Sequence, residues 1–230
     1  MKKFNIPKLG LVTGGCKGIG LAILDHVSRR MDIIPTHCTS LDEDPQFHLD
    51  ISDVDSINNF DIRGVNILIN NAGISQRKDF LDLTVADMDN MWQVNLRGAM
   101  LLTQRVLPQM IEQGYGRIIN IASIGGVTCG VEQLHYASAK AGLINFTKSI
   151  AKVYGKYGIT CNCISPGLIA TDMLGNYSES DLTRRIPCGR IGTPDDVAKL
   201  VSAIIEQDYL NGQNIILDGG MTLTWLKLKN

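Results

Sequence analysis

Thr13-Gly14-Gly15-Cys16-Lys17-Gly18-Ile19-Gly20 follows the apolar run Leu9 to Thr13 and opens a helical pattern from Ile19 to Arg29. This strand, glycine turn and helix decide the fold class. Glycines in such a turn permit positive φ and a close backbone approach, while the free N–H groups at the helix start attract a phosphate. The spacing departs from GxGxxG. By itself the turn therefore points to nucleotide phosphates, with a plain tight turn as the competing reading.

Outward from that turn, short apolar runs alternate with longer helical patterns, the signature of a parallel sheet with crossover helices. Strands are expected at Leu9 to Thr13, Ile33 to Cys38, Phe47 to Leu49, Val65 to Asn70, Arg117 to Ala122, Thr160 to Ile164 and Asn214 to Leu217. Helices are expected at Ile19 to Arg29, Asp53 to Phe60, Thr84 to Gln113, Leu134 to Tyr157 and Pro194 to Ile205, the third bending near Gly98 or Pro108. The pattern predicts a seven-stranded, doubly wound α/β sheet in one domain over residues 1–230. Too few residues separate Cys38 from Phe47 for a crossover helix, so the connection from the second to the third strand is shortened.

Composition removes several function classes. The chain has 230 residues and 44% hydrophobic content, enough for a large core, and 22 Lys plus Arg against 23 Asp plus Glu. No block of like charges suggests a nucleic-acid or membrane footprint. The start, Met1 to Pro7, lacks the apolar core of a signal peptide, and no run reaches membrane-spanning length, so a soluble, cytoplasmic protein is expected. The six cysteines are scattered without metal-ligand spacing, and no metal site is expected. Cys161 and Cys163 alternate onto one side of a strand and read as small packed hydrophobes.

The chemical signal is Tyr136-Ala137-Ser138-Ala139-Lys140, in which Tyr136 and Lys140 share one helical face. A phenol titrates near pH 10, and a neighbouring ammonium lowers that by favouring the phenolate. Such a pair alone is common on solvated helices. His135, next to Tyr136, reads equally as a pocket residue or an exposed helix-start residue.

Together, TGGCKGIG, Asn70-Asn71-Ala72-Gly73 and Tyr136-x-x-x-Lys140 resemble, in order and spacing, the one-domain short-chain dehydrogenase/reductase family. Further matches are Asn95 in Val94-Asn95-Leu96, Ser123 before Tyr136, Pro166 to Thr171, and Asp218-Gly219-Gly220. The resemblance implies a Rossmann-type fold and covers nearly the whole chain. Gly116 to Met173 looks closest to 3-oxoacyl-(acyl-carrier-protein) reductases. It implies a catalytic set of Asn95, Ser123, Tyr136 and Lys140: Tyr136 relays the proton, Ser123 holds the carbonyl oxygen, Lys140 lowers the Tyr136 pKa and holds the nicotinamide ribose, and Asn95 binds a water linking Lys140 to solvent. Taken singly, Ser123 also reads as a strand-end turn residue and Asn95 as a satisfied helix polar group.

The same resemblance assigns cofactor contacts. Gly14, Gly18, Ile19 and Gly20 form the phosphate turn, Asp50 and Ile51 meet the adenine, Asn71, Ala72 and Gly73 the adenine ribose side, and Pro166, Gly167, Ile169 and Thr171 the nicotinamide carboxamide. Tyr136 and Lys140 complete the set. Asp50 also reads as a cap for the helix near Asp53. Lys17 resembles the basic residue that NADP-using members place near the 2′-phosphate, and no carboxylate follows the second strand until Asp42. NADP(H) is expected as the preferred cofactor, with NAD(H) as the other possibility.

On the substrate side, residues 172–191 correspond to the family's lid; Met173, Leu174, Tyr177 and Leu182 suit an acyl chain, and Arg184, Arg185 and Arg190 a phosphate-bearing carrier or nucleotide sugar. Gln76, Arg77 and Lys78 are expected to face the same opening. The leading expectation is 3-oxoacyl-(acyl-carrier-protein) reduction. A sugar or polyol dehydrogenase and a cofactor-binding regulator without useful turnover are the alternatives. The family resemblance implies a homotetramer, with a dimer as the smaller alternative, pairing the long helices from Thr84 and Leu134; Trp225 to Leu228 is a further candidate contact.

Overall fold

The computed structural model describes residues 8–37, 47–175 and 179–223. Six parallel strands form one sheet: β1 (Leu9–Val12), β2 (Asp32–Pro35), β3 (Ile67–Asn70), β4 (Gly116–Ile121), β5 (Ile159–Pro166) and β6 (Asn214–Leu217), in the order β2-β1-β3-β4-β5-β6. The helices are α1 (Gly18–Val27), α2 (Val54–Asn59), α3 (Val85–Trp92), α4 (Gly98–Gln113), α5 (Leu134–Tyr154), α6 (Glu179–Thr183) and α7 (Pro194–Ile205). The order reverses at β1, with β2 on one side and β3 on the other. That reversal opens a crevice beyond the strands' carboxyl ends.

Alternation along the buried strands supplies both faces. Leu11, Leu68, Ile118 and Cys161 point to one side and pack with Leu102, Val106 and Met110 of α4 and Ile150 of α5. Val12, Ile69, Ile119 and Ile164 point to the other, against Ile23 and Val27 of α1 and Val201 and Ile205 of α7. Each such side chain contributes about 1.5–3 kcal/mol by leaving water. The sheet is therefore covered on both faces, as a parallel sheet requires. Cys161 and Cys163 are fully buried on the α4/α5 side.

The expected seven strands are six among the described residues. The Phe47 to Leu49 candidate is reduced to a single parallel bridge, His37 opposite His48, with the Leu49 N–H donating to the His37 carbonyl at 2.7 Å. Its ladder stops because the next residues turn at once. The Asp50 carboxylate accepts the Ser52 N–H at 2.8 Å, and Asp53 caps α2 by accepting the Asp55 N–H. Local side-chain capping thus takes the backbone groups that another ladder rung would use. Residues 38–46, which carry the shortened connection with Cys38, Thr39, Ser40 and Asp42, lie outside the described residues, as do Tyr177 and Trp225 to Leu228.

The helix expected over Thr84 to Gln113 is also divided. A Thr84–Asp87 capping box starts α3, and a π turn over Gln93–Arg97 separates it from α4. Pro108 lies inside α4. The deviation therefore falls just before Gly98, where an added Cβ would lie 2.5 Å from the Ile51 carbonyl oxygen. Close approach of α4 to the Ile51 backbone requires glycine there.

Candidate active site

The glycine turn is built against β3. Thr13 Oγ1 accepts the backbone N–H groups of Asn71 at 3.0 Å and Ala72 at 2.9 Å, while Asn71 Nδ2 donates to the carbonyls of Thr13 and Gly14. Gly14 and Gly18 have φ of +65° and +53°, in the left-handed region that glycine occupies without strain. At Gly20 an added Cβ would lie only 2.0 Å from the Gly14 carbonyl oxygen, so the helix start folds directly onto its own turn. Lys17 stands exposed at the N-cap of α1, and Ile19 packs partly into the core behind it.

A second group of residues converges at the ends of β3 and β4. Asn95 belongs to the π turn, is 1% exposed, and donates through Nδ2 to the Ile74 carbonyl at 3.0 Å and the Met91 carbonyl at 3.2 Å. Its Oδ1 is buried and makes no hydrogen bond among the described residues. An added Cβ on Gly73 would lie 2.8 Å from that oxygen and 3.3 Å from Lys140 Nζ. Gly73, Asn95 and Lys140 therefore meet at one point. Lys140 Nζ donates to the Ile121 carbonyl at 2.9 Å and lies 5.7 Å from the centre of the Tyr136 ring. Ser123, just beyond β4, accepts the Gly125 N–H at 3.1 Å and hydrogen-bonds Tyr136.

Burial dominates the electrostatics. It lowers the Lys140 ammonium to about 8 from an ordinary 10.5, because a buried charge loses its hydration. It raises the Tyr136 phenol above its ordinary value, with the Ser123 hydrogen bond acting in the opposite direction. The expected lowering of Tyr136 by Lys140 is thus not the outcome in this structure. Desolvation penalises phenolate and ammonium alike.

Two further segments border the crevice. Pro166 ends β5, Gly167 donates its N–H to the Leu217 carbonyl at 2.9 Å, and an added Cβ on Gly167 would meet Asp218 Cα at 2.9 Å. Thr171 reaches the glycine turn: an added Cβ on Gly18 would lie 3.3 Å from its Cγ2. Asp50 lies at the other end, where one carboxylate oxygen accepts both the Ser52 N–H and hydroxyl. The Ile51 side chain is buried in the core, and its carbonyl packs against Gly98 of α4.

The family model described as enoyl-(acyl carrier protein) reductase matches residues 16–222. The chain belongs to the short-chain dehydrogenase/reductase family. It is 36% identical to the 3-oxoacyl-[acyl-carrier-protein] reductase FabG of Aquifex aeolicus, across 93% of this chain and 97% of that protein. A putative gluconate dehydrogenase from Agrobacterium tumefaciens superposes with a TM-score of 0.85 at 27% identity, covering 98% of this chain and 100% of that one. ElxO with NADP bound superposes with a TM-score of 0.85 at 27% identity, covering 94% and 98% respectively. This short-chain dehydrogenase/reductase is an NAD(P)-dependent oxidoreductase acting on CH–OH groups.

The residues present fit a nicotinamide dinucleotide. The Gly14 and Gly18 conformations and the narrow gap between Gly18 and Thr171 make a backbone cradle that side chains would fill, and Asn95 presents an unsatisfied buried acceptor nearby. Several members of this reductase's site left weaker traces in the sequence. Thr13 binds two N–H groups across the crevice, Ile121 offers only a backbone carbonyl, and both partners lie far away in the chain. His135 is not an exposed helix-start residue: it is 5% exposed, and its Nε2 faces Gln76 Oε1 at 3.2 Å.

The lid candidate, 172–191, leaves and returns at one place, because Ala170 N–H donates to the Gly192 carbonyl and Gly192 N–H to the Leu168 carbonyl, both at 2.9 Å. Leu182 and Ile186 are buried, whereas Met173 is exposed. Arg190 is committed to Asp196 through contacts of 2.7 and 2.9 Å, while Arg184 and Arg185 are exposed. Gln76 and Lys78 bind Asp87 of α3 rather than standing open to a substrate.

Proposed function

We infer that this chain is an NADP(H)-preferring reductase of 3-oxoacyl groups borne on an acyl carrier, with Asn95, Ser123, Tyr136 and Lys140 as its catalytic set. The convergence of these four at the ends of β3 and β4 carries the reading. The dinucleotide, when bound, supplies or accepts a hydride at nicotinamide C4. Tyr136 gives its phenol proton to the carbonyl oxygen, or takes the alcohol proton in the reverse direction. Ser123 Oγ accepts the Gly125 N–H, and its own hydrogen, directed at Tyr136 in this structure, would turn to hold that oxygen beside the phenol. Lys140 would hold the nicotinamide ribose, and Asn95 Oδ1 would accept a proton-carrying water next to Lys140.

The cradle residues would be Gly14, Gly18, Ile19 and Gly20 at the pyrophosphate, Asp50 and Ile51 at the adenine, Asn71, Ala72 and Gly73 at its ribose, and Pro166, Gly167, Ile169 and Thr171 at the carboxamide. Exposed Lys17, with no carboxylate in the sequence after β2 until Asp42, supports the preference for a 2′-phosphate over a bare ribose diol. Similarity to FabG supports the acyl-carrier substrate. Exposed Trp92, Met100 and Val153 on α3, α4 and α5 support pairing of these helices in a homotetramer.

Binding of NADPH and NADH is measured by fluorescence titration, followed in the same samples by oxidation with acetoacetyl-carrier and sugar-ketone panels. Tight NADPH binding with carrier-dependent oxidation is expected. Oxidation by sugar ketones alone would replace the acyl substrate with the sugar or polyol reading, and binding without oxidation by either panel would replace it with a regulator.

A further inference from the structure

The segment following Gly73 joins three parts of the molecule. Its Ile74 carbonyl accepts from Asn95 Nδ2, its Ser75 hydroxyl accepts from Gln133 Nε2 at 2.7 Å, and its Lys78 N–H donates to the Glu132 carbonyl at 3.0 Å. Glu132 has φ of +57°, the one non-glycine residue with positive φ among the described residues. Such a conformation persists where neighbours over-determine it. On the other side, Lys78 Nζ and Gln76 Nε2 both contact the Asp87 carboxylate, at 2.7 and 2.9 Å. Asp87 is itself the capping-box residue of α3.

Gln76 lies between Asp87 and His135, and the chemistry of its neighbours sets its orientation. The contacts from Lys78, Thr84 and Gln76 hold the Asp87 carboxyl well below the usual carboxylate range, so it is ionised and accepts only. The Gln76 amide nitrogen must therefore face Asp87. Its oxygen then faces His135 Nε2 at 3.2 Å, and that nitrogen must carry the hydrogen. His135 Nδ1 is buried and has no hydrogen-bond partner among the described residues, so a proton there would find no acceptor among them. Burial is the largest influence on the ring and keeps it neutral; the charges it also feels are Asp87 on α3, which favours the imidazolium, and Lys78, which opposes it.

We propose that Gln76 is a positioning residue: clamped by Asp87, it holds His135 as the Nε2–H tautomer and thereby fixes the first turn of α5, on which Tyr136 is the next residue. The strap from Ile74 to Lys78 thus links the Asn95 turn to the Tyr136 turn by hydrogen bonds, beside the packing of Ile74 in the cluster that also holds Tyr136. The effect on turnover rests on the proposed role of Tyr136, whereas the tautomer does not.

The test has two readouts. Protein labelled with 15N-histidine is examined by long-range proton–nitrogen correlation at pH 7.5, where His135, assigned by its absence in His135→Gln, is expected as a single neutral Nε2–H form. In Gln76→Ala the same ring is expected to show averaged tautomers. An Nδ1–H or charged ring in the parent protein would overturn the proposal. Kinetically, Gln76→Ala and His135→Leu are expected to lower kcat roughly tenfold, with KM and NADPH affinity within about twofold, as misplacement of a reacting group does. His135→Gln keeps an N–H at that reach and is expected to retain most of kcat. Equal losses in His135→Leu and His135→Gln, or full kcat in Gln76→Ala, would show that packing alone matters and overturn the proposal. Thermal melts confirm that each variant is folded. Full turnover in Tyr136→Phe with the expected tautomer would instead remove the proton-relay reading.

Discussion

The Lys140 ammonium donates to the Ile121 carbonyl at the end of β4, 2.9 Å away, in a region where the lysine is only 4% exposed. One neutral acceptor does not replace full hydration, so the charged form is held at a cost in the folded protein. Site chemistry and stability therefore pull in opposite directions at this residue.

Lys140→Met is expected to stabilise the ligand-free protein at pH 7 while abolishing turnover. With the folded pKa lowered from 10.5 to about 8, the unfolded chain binds more proton between those values, and stability rises with pH across that window. Below about pH 8 the full penalty of the buried charge applies, an upper limit of roughly 3 kcal/mol before subtracting the lost hydrogen bond. Urea unfolding at pH 7 and pH 10 checks this. The advantage of the variant should shrink at the higher pH, and a variant less stable than the parent at pH 7 would contradict it.

Tyr136→Phe removes the phenolic proton and little volume. Turnover is expected to fall by roughly 10²–10⁴-fold, the usual contribution of a positioned acid or base, with dinucleotide affinity nearly unchanged. Burial keeps the parent phenol protonated through neutral pH. Carbonyl reduction should accordingly hold to mildly alkaline pH in the parent, and steady-state rates across pH 6–9 with both proteins test the pair of expectations.

Gly20→Ala would place a methyl group 2.0 Å from the Gly14 carbonyl oxygen and 2.7 Å from Asn71 Nδ2. The first neighbour is backbone, and the Asn71 amide is tied to the Thr13 and Gly14 carbonyls, so the turn itself must move. We expect a stability loss of about 1–3 kcal/mol, as in other overpacked sites, and at least tenfold weaker binding of both NADPH and NADH. Gly114→Ala is the control: φ of +65° strains it by roughly 1 kcal/mol, but nothing among the described residues lies within 4 Å, and binding should be unaffected.

Lys17→Ala tests the cofactor preference. Removal of this exposed charge at the N-cap of α1 should weaken NADPH binding about five- to tenfold and leave NADH within about twofold, since only the former carries a 2′-phosphate. The difference should narrow in high salt. Titrations with both cofactors decide it, and equal losses would detach Lys17 from the phosphate.

Much of the architecture is legible in one dimension because its causes are local. The Pro194–Ile205 helix and the Asn214–Leu217 strand occupy their expected spans, since a Thr193–Asp196 capping box starts the first and a short apolar run defines the second. The missing third strand was not legible: Phe47 to Leu49 has the composition of a strand, but Asp50 and Asp53 capture the following N–H groups. Likewise, helix periodicity carries through Gln93–Arg97, where the structure inserts a π turn that brings Asn95 toward Gly73 and Lys140.

The sequence by itself determined the parallel α/β class, the glycine turn and the shared helical face of Tyr136 and Lys140, because hydrophobic period, backbone freedom and helical repeat act over a few residues; resemblance to the family added Asn95 and Ser123. Only the tertiary structure decided that Gly73 backs onto Asn95 and Lys140, that Ile121 receives the ammonium, and that Gln76 orients His135. These depend on the order of strands in the sheet and on which charges lose water, and burial is a property of the assembled fold rather than of any segment in it.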